Sequence, residues 1–354
     1  MAIVSLTTVV VAHDSLIELR RSLPPLLAEL GEQDELIVVD NASSDDLALE
    51  LGCLAPAARL ISLKENVGFA GGANAGAAAA QGQLLVLLNP DAMVSTGWAD
   101  AIRSPWESEW AGWMALVTLD DEQLINTSGG VLHFTGFGWA GQVGQPLAQA
   151  PRAPTEVSFL SGACLAIPLT LWDDLRGFPE HFFMYCEDVD LSLRLRLSGK
   201  RLAVVPDAIV AHDYKFAQGL LKWRLLERNR WATMIRTYPR LLLAAVMPAL
   251  LATEPAVWAV ATRNGWSRMK LLATLDVLRA LPRLLAERRE IQSSASISAM
   301  DFAAQLTARL DSPYFGAVGR QPMLERGLEL YWRTVLWLLR QTCSPAAIQV
   351  PPPS

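Results

Sequence analysis

The chain has 354 residues, 51% of them hydrophobic and 19% charged, enough to bury a large core and too apolar for a disordered chain. Its net charge of -6 hides an asymmetry: residues 1–214 carry 11 Lys and Arg against 27 Asp and Glu, and residues 215–290 carry 14 against 5. The basic segment points to an anionic membrane surface or nucleic acid as partner, while four cysteines without C-x-x-C spacing exclude a disulfide framework and leave reduced, cytoplasmic thiols as the simpler reading.

Met1 to Ala12 is apolar but lacks a positive flank and a small-residue cleavage pattern, so it reads as a first strand and not as a signal peptide. The strand ends at His13-Asp14-Ser15, where Asp14 or Ser15 is placed to cap a helix. Pro24-Pro25 removes two backbone donors from that helix and predicts a kink or a restart. Glu35 to Asp40 is a second strand, followed by a turn, Asn41 to Asp46, dense in side-chain oxygens. Arg59 to Leu63 is a short third strand. Asn66 to Gly76 is a glycine-rich loop running into an alanine-rich helix. Glycines there let backbone approach a ligand and a helix N-terminus attracts phosphate, but close packing of helix on sheet asks for the same residues. They follow the third strand, and the first strand-to-helix turn carries no G-x-G-x-x-G, which disfavours a Rossmann site and a dehydrogenase.

Leu84 to Leu88, five branched apolar residues bounded by Asn89-Pro90-Asp91, reads as a strand buried on both faces. It delivers Asp91 to its carboxyl end, where a carboxylate is a candidate for a metal or substrate; a plain Asn-Pro-Asp turn is the alternative. A short helix around Gly97 to Ser104, a strand at Ala115 to Leu119 and a Gly/Pro-rich stretch to Pro154 follow. Phe159 to Ile167 resumes the buried-strand pattern, and Gly177 to Glu180 turns into Phe182-Phe183-Met184-Tyr185-Cys186-Glu187-Asp188-Val189-Asp190. Asp190 is explained by Arg194 one helical turn on. Glu187 and Asp188, adjacent acids beneath an aromatic run, point to a proton-handling or cation site. Leu202 to Pro206 reads as a last short strand, its proline suggesting an edge or a strand end, with His212 after it.

From Leu220 to Tyr238 apolar residues recur near helical spacing among Lys222, Arg224, Arg228, Arg230 and Arg236, which predicts a basic amphipathic helix. Leu241 to Ala252 is uncharged but contains Pro248, and is short for a spanning helix, which needs about 20 apolar residues. An interfacial helix is the favoured reading, with a soluble bundle or homo-oligomer interface as the alternative. Nucleic acid is disfavoured, because the basic residues come with long apolar runs. The expected organisation is a catalytic domain over 1–215, a helical region over 216–345 and a disordered tail over 346–354.

In this order, Val38 to Asp45, Asn66 to Gly72, Leu88 to Asp91, Ser161 to Ala163 and Phe183 to Asp190 resemble the family-2 inverting glycosyltransferases of the GT-A fold, in the rhamnosyltransferase-like branch. The likeness covers roughly residues 5 to 215. It implies an α/β fold, a nucleotide-sugar-binding mixed sheet flanked by helices, and a hexosyltransferase using a divalent metal, Mg or Mn. By that resemblance Ala12, Asp14, Asp40, Asn41, Asn66, Gly71, Gly72, Asn74, Asn89 and Asp91 face the donor, a dTDP- or UDP-sugar, with Asp40 toward the pyrimidine. Asp91 and His212 hold the metal, and Asp188 is the base. Ser161, Gly162 and Glu187 face a glycan or lipid-linked acceptor. The family's Thr-Tyr-Asn after the first strand is replaced by Ala12-His13-Asp14, and its D-x-D by Asn89-Pro90-Asp91. The chemistry is coherent by itself: a diphosphate leaving group needs a cation, and an attacking hydroxyl needs a base on the opposite face. The implied location is the cytoplasmic face of the cell membrane. A non-catalytic sugar-nucleotide or glycan-binding module is the alternative, which Asp91 and Asp188 together disfavour.

Overall fold

A computed structural model describes residues 4–119, 123–212, 219–312 and 321–342. The predicted tail 346–354 and Cys343 lie outside the described residues. The first half alternates strand and helix: β1 (Leu6–Ala12), α1 (Leu16–Glu29), β2 (Glu35–Asp40), α2 (Leu47–Leu54), β3 (Arg59–Ser62), α3 (Gly68–Ala77) and β4 (Leu84–Leu88). Strand β1 lies parallel between β2 and β4, and β3 is parallel to β2. Then come β5 (Ala92–Val94), α4 (Trp98–Arg103), β6 (Trp110–Thr118), β7 (Ile125–Thr127), the hairpin β8 (Gly130–Leu132) and β9 (Gly138–Ala140), and β10 (Thr155–Glu156). The sheet is completed by β11 (Cys164–Pro168), α5 (Leu169–Asp174), α6 (Glu187–Leu197) and β12 (Arg201–His212). Because β11 inserts antiparallel between β4 and β6, the sheet is mixed, in the order β10-β12-β6-β11-β4-β1-β2-β3.

Alternate residues of the central strands serve two cores. Val10, Val38 and Val86 pack with Leu23 of α1 and Trp98 of α4 on one face, while Val9, Val39 and Leu87 pack with Ala73 of α3 and Leu191 of α6 on the other. Both faces being covered explains why β4 is apolar throughout and not alternating.

Four local expectations are corrected. Helix α1 runs through Pro24 and Pro25 without a break; Arg20 and Arg21, whose carbonyls those prolines cannot satisfy, are exposed, so water can serve them. Neither Asp14 nor Ser15 caps α1; the Leu16 amide donates instead to Asp45 Oδ2 at 3.2 Å. Only Cys164 onward of the stretch 159–167 is strand. Strand β12 continues through Pro206 and is interior, flanked by β10 and β6; the proline sits where the register with β6 shifts, between Val205 and Ile209. A bulge is where a sheet tolerates a residue with no N–H to give.

The C-terminal part is helical: α7 (Leu220–Thr237), α8 (Arg240–Arg263), α9 (Ser267–Ser293), α10 (Ala299–Ala303) and a helix at Pro322–Thr342. A third core joins it to the sheet part, Phe134, Phe159 and Leu193 packing with Tyr238, Leu242, Val246, Phe302 and Trp332. Helix α7 is not the surface-lying basic helix that its composition suggests. Lys222, Arg230 and Arg236 are buried. Arg230 pairs with Glu227 at 3.1 Å and Glu254 at 2.7 Å, and Lys270 of α9 joins the same two acids. Arg236 pairs with Asp190 at 3.0 Å and Glu287 at 3.1 Å, and Arg224 forks onto Asp276. The positive charge of α7 itself is spent largely inside the fold. Helix α8 runs unbroken through Pro248 and Pro255 for 24 residues, with an 18-residue stretch of mean hydropathy 1.7, long and apolar enough to cross a membrane by length and composition.

Candidate active site

Register sets Ala12 opposite Asp40 and Val10 opposite Leu88, so parallel β1, β2 and β4 end along one edge, the place where open α/β sheets take ligands. Asp40 stands half-buried on that edge, its Oδ1 accepting the Ser43 amide at 2.8 Å. Asp14, at φ 50°, accepts from the Ser44 amide at 2.6 Å and hydroxyl at 2.9 Å, which hold its carboxyl below the usual value. Buried Asn41 is a strut: its Oδ1 accepts from the Val67 amide at 2.9 Å and its Nδ2 donates to Asn66 Oδ1 at 3.0 Å. Asn66 Oδ1 also accepts the Gly68 amide at 2.8 Å, fixing the start of α3.

Four residues assigned to the donor from sequence take part in packing and bracing. Ala12 is buried in the core and its carbonyl accepts the Asn41 amide at 2.8 Å. The glycine-rich stretch is helix and not loop: a Cβ on Gly72 would lie 2.5 Å from Val11 Cγ1, and one on Gly71 2.7 Å from Val67 Cγ2. Gly72 lets α3 settle on β1, and Gly71 leaves room for the Val67 side chain at the start of the same helix. Asn74 braces the loop ahead of α6, donating to the Phe178 carbonyl and accepting the Phe178 amide, both at 2.9 Å.

The Asn89-Pro90-Asp91 turn follows β4, pinned by the Ser22 hydroxyl, which donates to the Pro90 carbonyl at 2.7 Å. Antiparallel pairing of β5 with β12 sets His212 opposite Ala92. That register brings buried His212 to Asp91, Nε2 to Oδ1 at 3.0 Å, with Asn89 Nδ2 at 3.4 Å from the same nitrogen. The Asn126 amide holds the His212 carbonyl at 2.8 Å. Among the described residues no group of three or more His, Cys, Asp and Glu encloses an ion. One carboxylate and one imidazole fit a cation that takes its other ligands from a diphosphate and water, the manner of Mg and Mn in phosphate-handling sites.

Asp188 lies in the first turn of α6. Its Oδ2 accepts the Gly162 amide at 3.0 Å and its Oδ1 its neighbour's amide, from Val189, at 2.7 Å. Burial raises its pKa in spite of these amides. The Asn89 amide donates to the Ala163 carbonyl at 3.0 Å, so the Ser161-Gly162-Ala163 loop joins the Asn89–Asp91 turn to Asp188. Glu187 is buried, with Oε2 lacking a hydrogen-bond partner among the described residues; burial first, then adjacent Asp188, push its carboxyl well above the usual range. Asp190 pairs with Arg194 at 2.7 Å, as its spacing predicts.

Sequence reasoning missed what holds the aromatic turn before Asp188. Phe183, Tyr185 and Cys186 all have positive φ, a conformation that costs free energy at non-glycine residues. Fully buried Asn229 of α7 donates to three carbonyls of that turn, Phe182 at 3.0 Å, Met184 at 2.9 Å and Tyr185 at 2.7 Å, and Arg228 adds a bond to Phe182 at 2.7 Å. From the other side the Ala70 amide donates to the Phe183 carbonyl at 3.0 Å, and Gly68, at φ 75°, leaves room for that turn. An amide some 44 residues downstream gives no local signal.

Comparison with known proteins returns two models. "Glycosyl transferase family 2" matches residues 7–122 and "Glycosyltransferase like family 2" residues 146–233. An O-antigen biosynthesis protein, RfbC of Myxococcus xanthus, is 28% identical over 38% of this chain, and the match spans only 11% of that longer protein. An N-acetylglucosaminyl-diphospho-decaprenol L-rhamnosyltransferase of Mycobacterium tuberculosis is 27% identical over 57% of this chain and 73% of its own length. Rhamnosyltransferase WbbL of Escherichia coli is 33% identical over 22% of the chain and 31% of its own. Among solved structures, GalNAc-T7 with UDP, GalNAc and Mn2+ superposes at a TM-score of 0.55, 13% identity, over 72% of this chain and 54% of that one. S. aureus TarS 1-349 superposes at 0.50, 15% identity, over 96% and 93%. At such identities the structural likeness speaks for the fold.

Proposed function

The chain belongs to the family-2 glycosyltransferases of the GT-A fold, and from that premise we propose that it moves a sugar, rhamnose being favoured, from a dTDP- or UDP-linked donor to a hydroxyl of a lipid-linked or polysaccharide acceptor with inversion. The sugar rests on the rhamnosyltransferases among its relatives. The observation that carries the mechanism is the placement of two carboxylates: Asp91, paired with His212 at 3.0 Å, and Asp188, joined to the Asn89–Asp91 turn through Gly162 and Ala163. A divalent cation held by Asp91 and His212 would supply charge stabilisation at the leaving diphosphate. Asp40 stands at the same strand-end edge for the nucleoside. Asp188, its oxygens oriented by the Gly162 and Val189 amides, takes the proton of the acceptor hydroxyl as it attacks. Its raised pKa brings it closer to that task than an ordinary aspartate.

The proposed location is the cytoplasmic face of a membrane, with a changed contact surface. Exposed apolar side chains of the C-terminal helices include Leu241, Leu251 and Val260 of α8, Leu271 and Leu278 of α9, and Leu330 and Trp337 of the Pro322–Thr342 helix. Leu242, Val246 and Leu250 of α8 are committed to the third core and Glu254 to Arg230 and Lys270. That commitment favours a helix lying on the membrane over one crossing it.

A panel of nucleotide sugars tests the function. Metal-dependent hydrolysis, or protection from thermal unfolding, by a dTDP- or UDP-sugar is expected, and Asp91→Ala should abolish it. No protection and no hydrolysis with any donor would overturn the reading.

A further inference from the structure

One cavity away from the strand-end edge gathers four guanidinium groups over an apolar floor of Ala232, Val277, Ala280 and Leu284. It lies between α7 and α9, has a volume of about 390 Å³, and is lined by Arg224, Arg228, Arg279 and Arg283 together with His181 and Asp276. One carboxylate faces four arginines. Asp276 is engaged by Arg224 through both oxygens, at 2.6 and 3.0 Å, and Arg279 comes no nearer to it than 3.8 Å. Arg283 is 3.8 Å from Glu287, an acid that already pairs with Arg236 at 3.1 Å. Arg228 donates to neutral acceptors, Asn229 Oδ1 at 2.8 Å and the Phe182 carbonyl at 2.7 Å. The surplus positive charge is felt locally: burial first, then Arg283, Arg236 and Arg228, lower the His181 pKa to about 3.

Planar guanidinium forks match the oxygens of phosphate groups, and several converging on one concavity make an anion site with room for a diphosphate. Two further features give the anion an address. Leu220 and Leu221, both 54% exposed, precede Arg224 by one turn and share the face of α7 that carries Arg224 and Arg228. An apolar lip therefore adjoins the arginines. Arg228 and Asn229, both lining residues, hold the carbonyls of the strained turn that leads into Asp188. We propose that this arginine-lined cavity between α7 and α9 binds the phosphate or diphosphate group of a lipid-linked acceptor, seating the acceptor from the helical side while the nucleotide sugar enters at the strand ends. The assignment rests on the glycosyltransferase reading and names the acceptor's anchoring chemistry.

The test uses the full chain and inorganic pyrophosphate as probe, followed by calorimetry in a chelator so that cation-dependent binding at Asp91 is silent. Arg279 and Arg283 are 73% and 51% exposed at their side chains, so Arg279→Gln with Arg283→Gln spares the core. Pyrophosphate should bind, and the double variant should bind it at least about tenfold more weakly, a difference of 1.4 kcal/mol. Phosphatidylcholine vesicles carrying a prenyl diphosphate should displace the probe, and vesicles of equal charge made with phosphatidylglycerol should not. Absent binding, equal affinity in the double variant, or equal displacement by phosphatidylglycerol overturns the proposal. Nucleotide-sugar hydrolysis is measured in parallel. Equal hydrolysis by wild type and variant leaves the glycosyltransferase reading standing whatever the pyrophosphate result, whereas no hydrolysis by either defeats that reading instead.

Discussion

The two carboxylates of the site are held by opposite means. Asp91 stands at the end of a strand buried on both faces, and its partner His212 comes from the strand that pairs with the next one, so backbone ladders place both groups. Asp188 follows a turn with three positive-φ residues that no ladder supports. That turn keeps its shape because Asn229 and Arg228 of α7 and the Ala70 amide of α3 take its carbonyls. The placement of Asp91 is thus a property of the sheet, and that of Asp188, the proposed base, a property of side chains reaching across from a helical layer. The first survives most surface changes, whereas the second depends on single buried amides.

Removing the carboxylate of Asp188, the proposed base, is expected to give the largest effect. Asp188→Asn should cut turnover by about 10²–10⁴-fold and leave donor affinity near normal, since a base acts mainly in the transition state. Calorimetry with the donor beside product formation checks it; near-normal turnover would remove Asp188 from that role. Next comes the amide behind it. Asn229→Ala should lower turnover by up to about 10²-fold through misplacement of the turn, with donor affinity unmoved. Stability should fall by about 1–3 kcal/mol in urea unfolding, because buried carbonyls lose their donor. If donor affinity fell in step with turnover, the separation of the two halves would be wrong. On the sheet side, His212→Ala should weaken metal-dependent donor binding by about tenfold to a hundredfold and spare metal-free binding. Titrations with and without chelator separate the two.

The smallest effect is one of pH. The Glu187 carboxyl titrates well above 4.5 in the fold because burial and Asp188 oppose its charge. A carboxylate raised in the native state favours folding below its unfolded pKa, and that contribution is lost as pH rises through the folded value. Glu187→Gln should therefore be destabilising or neutral at pH 4 and relatively stabilising above neutrality. Urea midpoints at the two pH values check the sign; a variant equally destabilised at both would mean that Glu187 is ionised without cost.

The sheet side was the legible side. The bounds of β2 and β4 match their apolar runs, and Asp40 and Asp91 fall where those runs end, because burial on two faces leaves a contiguous trace in the sequence. Helix α7 was misread for the converse reason. Its arginines look like a surface stripe, but apart from Glu227, which pairs with Arg230 within the helix, their acids, Glu254, Asp276, Glu287 and Asp190, lie on other elements, outside any local sequence window. Helix α3 was ambiguous in sequence, since glycine serves a ligand and a neighbouring valine equally well, and the valine contacts become visible only in the fold. The paired role of Asp190 and Arg194 was legible since both partners sit one turn apart.

The interruption in β12 sets a parity. Val205 and Val210 face the same core although they stand five positions apart, an odd offset that an uninterrupted strand would place on opposite faces. Pro206, Asp207 and Ala208, unmatched between Val205 and Ile209, reset the alternation, and His212 inherits its facing from that reset. Lengthening or shortening this insert by one residue would turn every later side chain of the strand to the opposite face, whereas a change of two would restore the facing. The length of a three-residue irregularity thus governs the Asp91–His212 pair as firmly as the identity of the histidine.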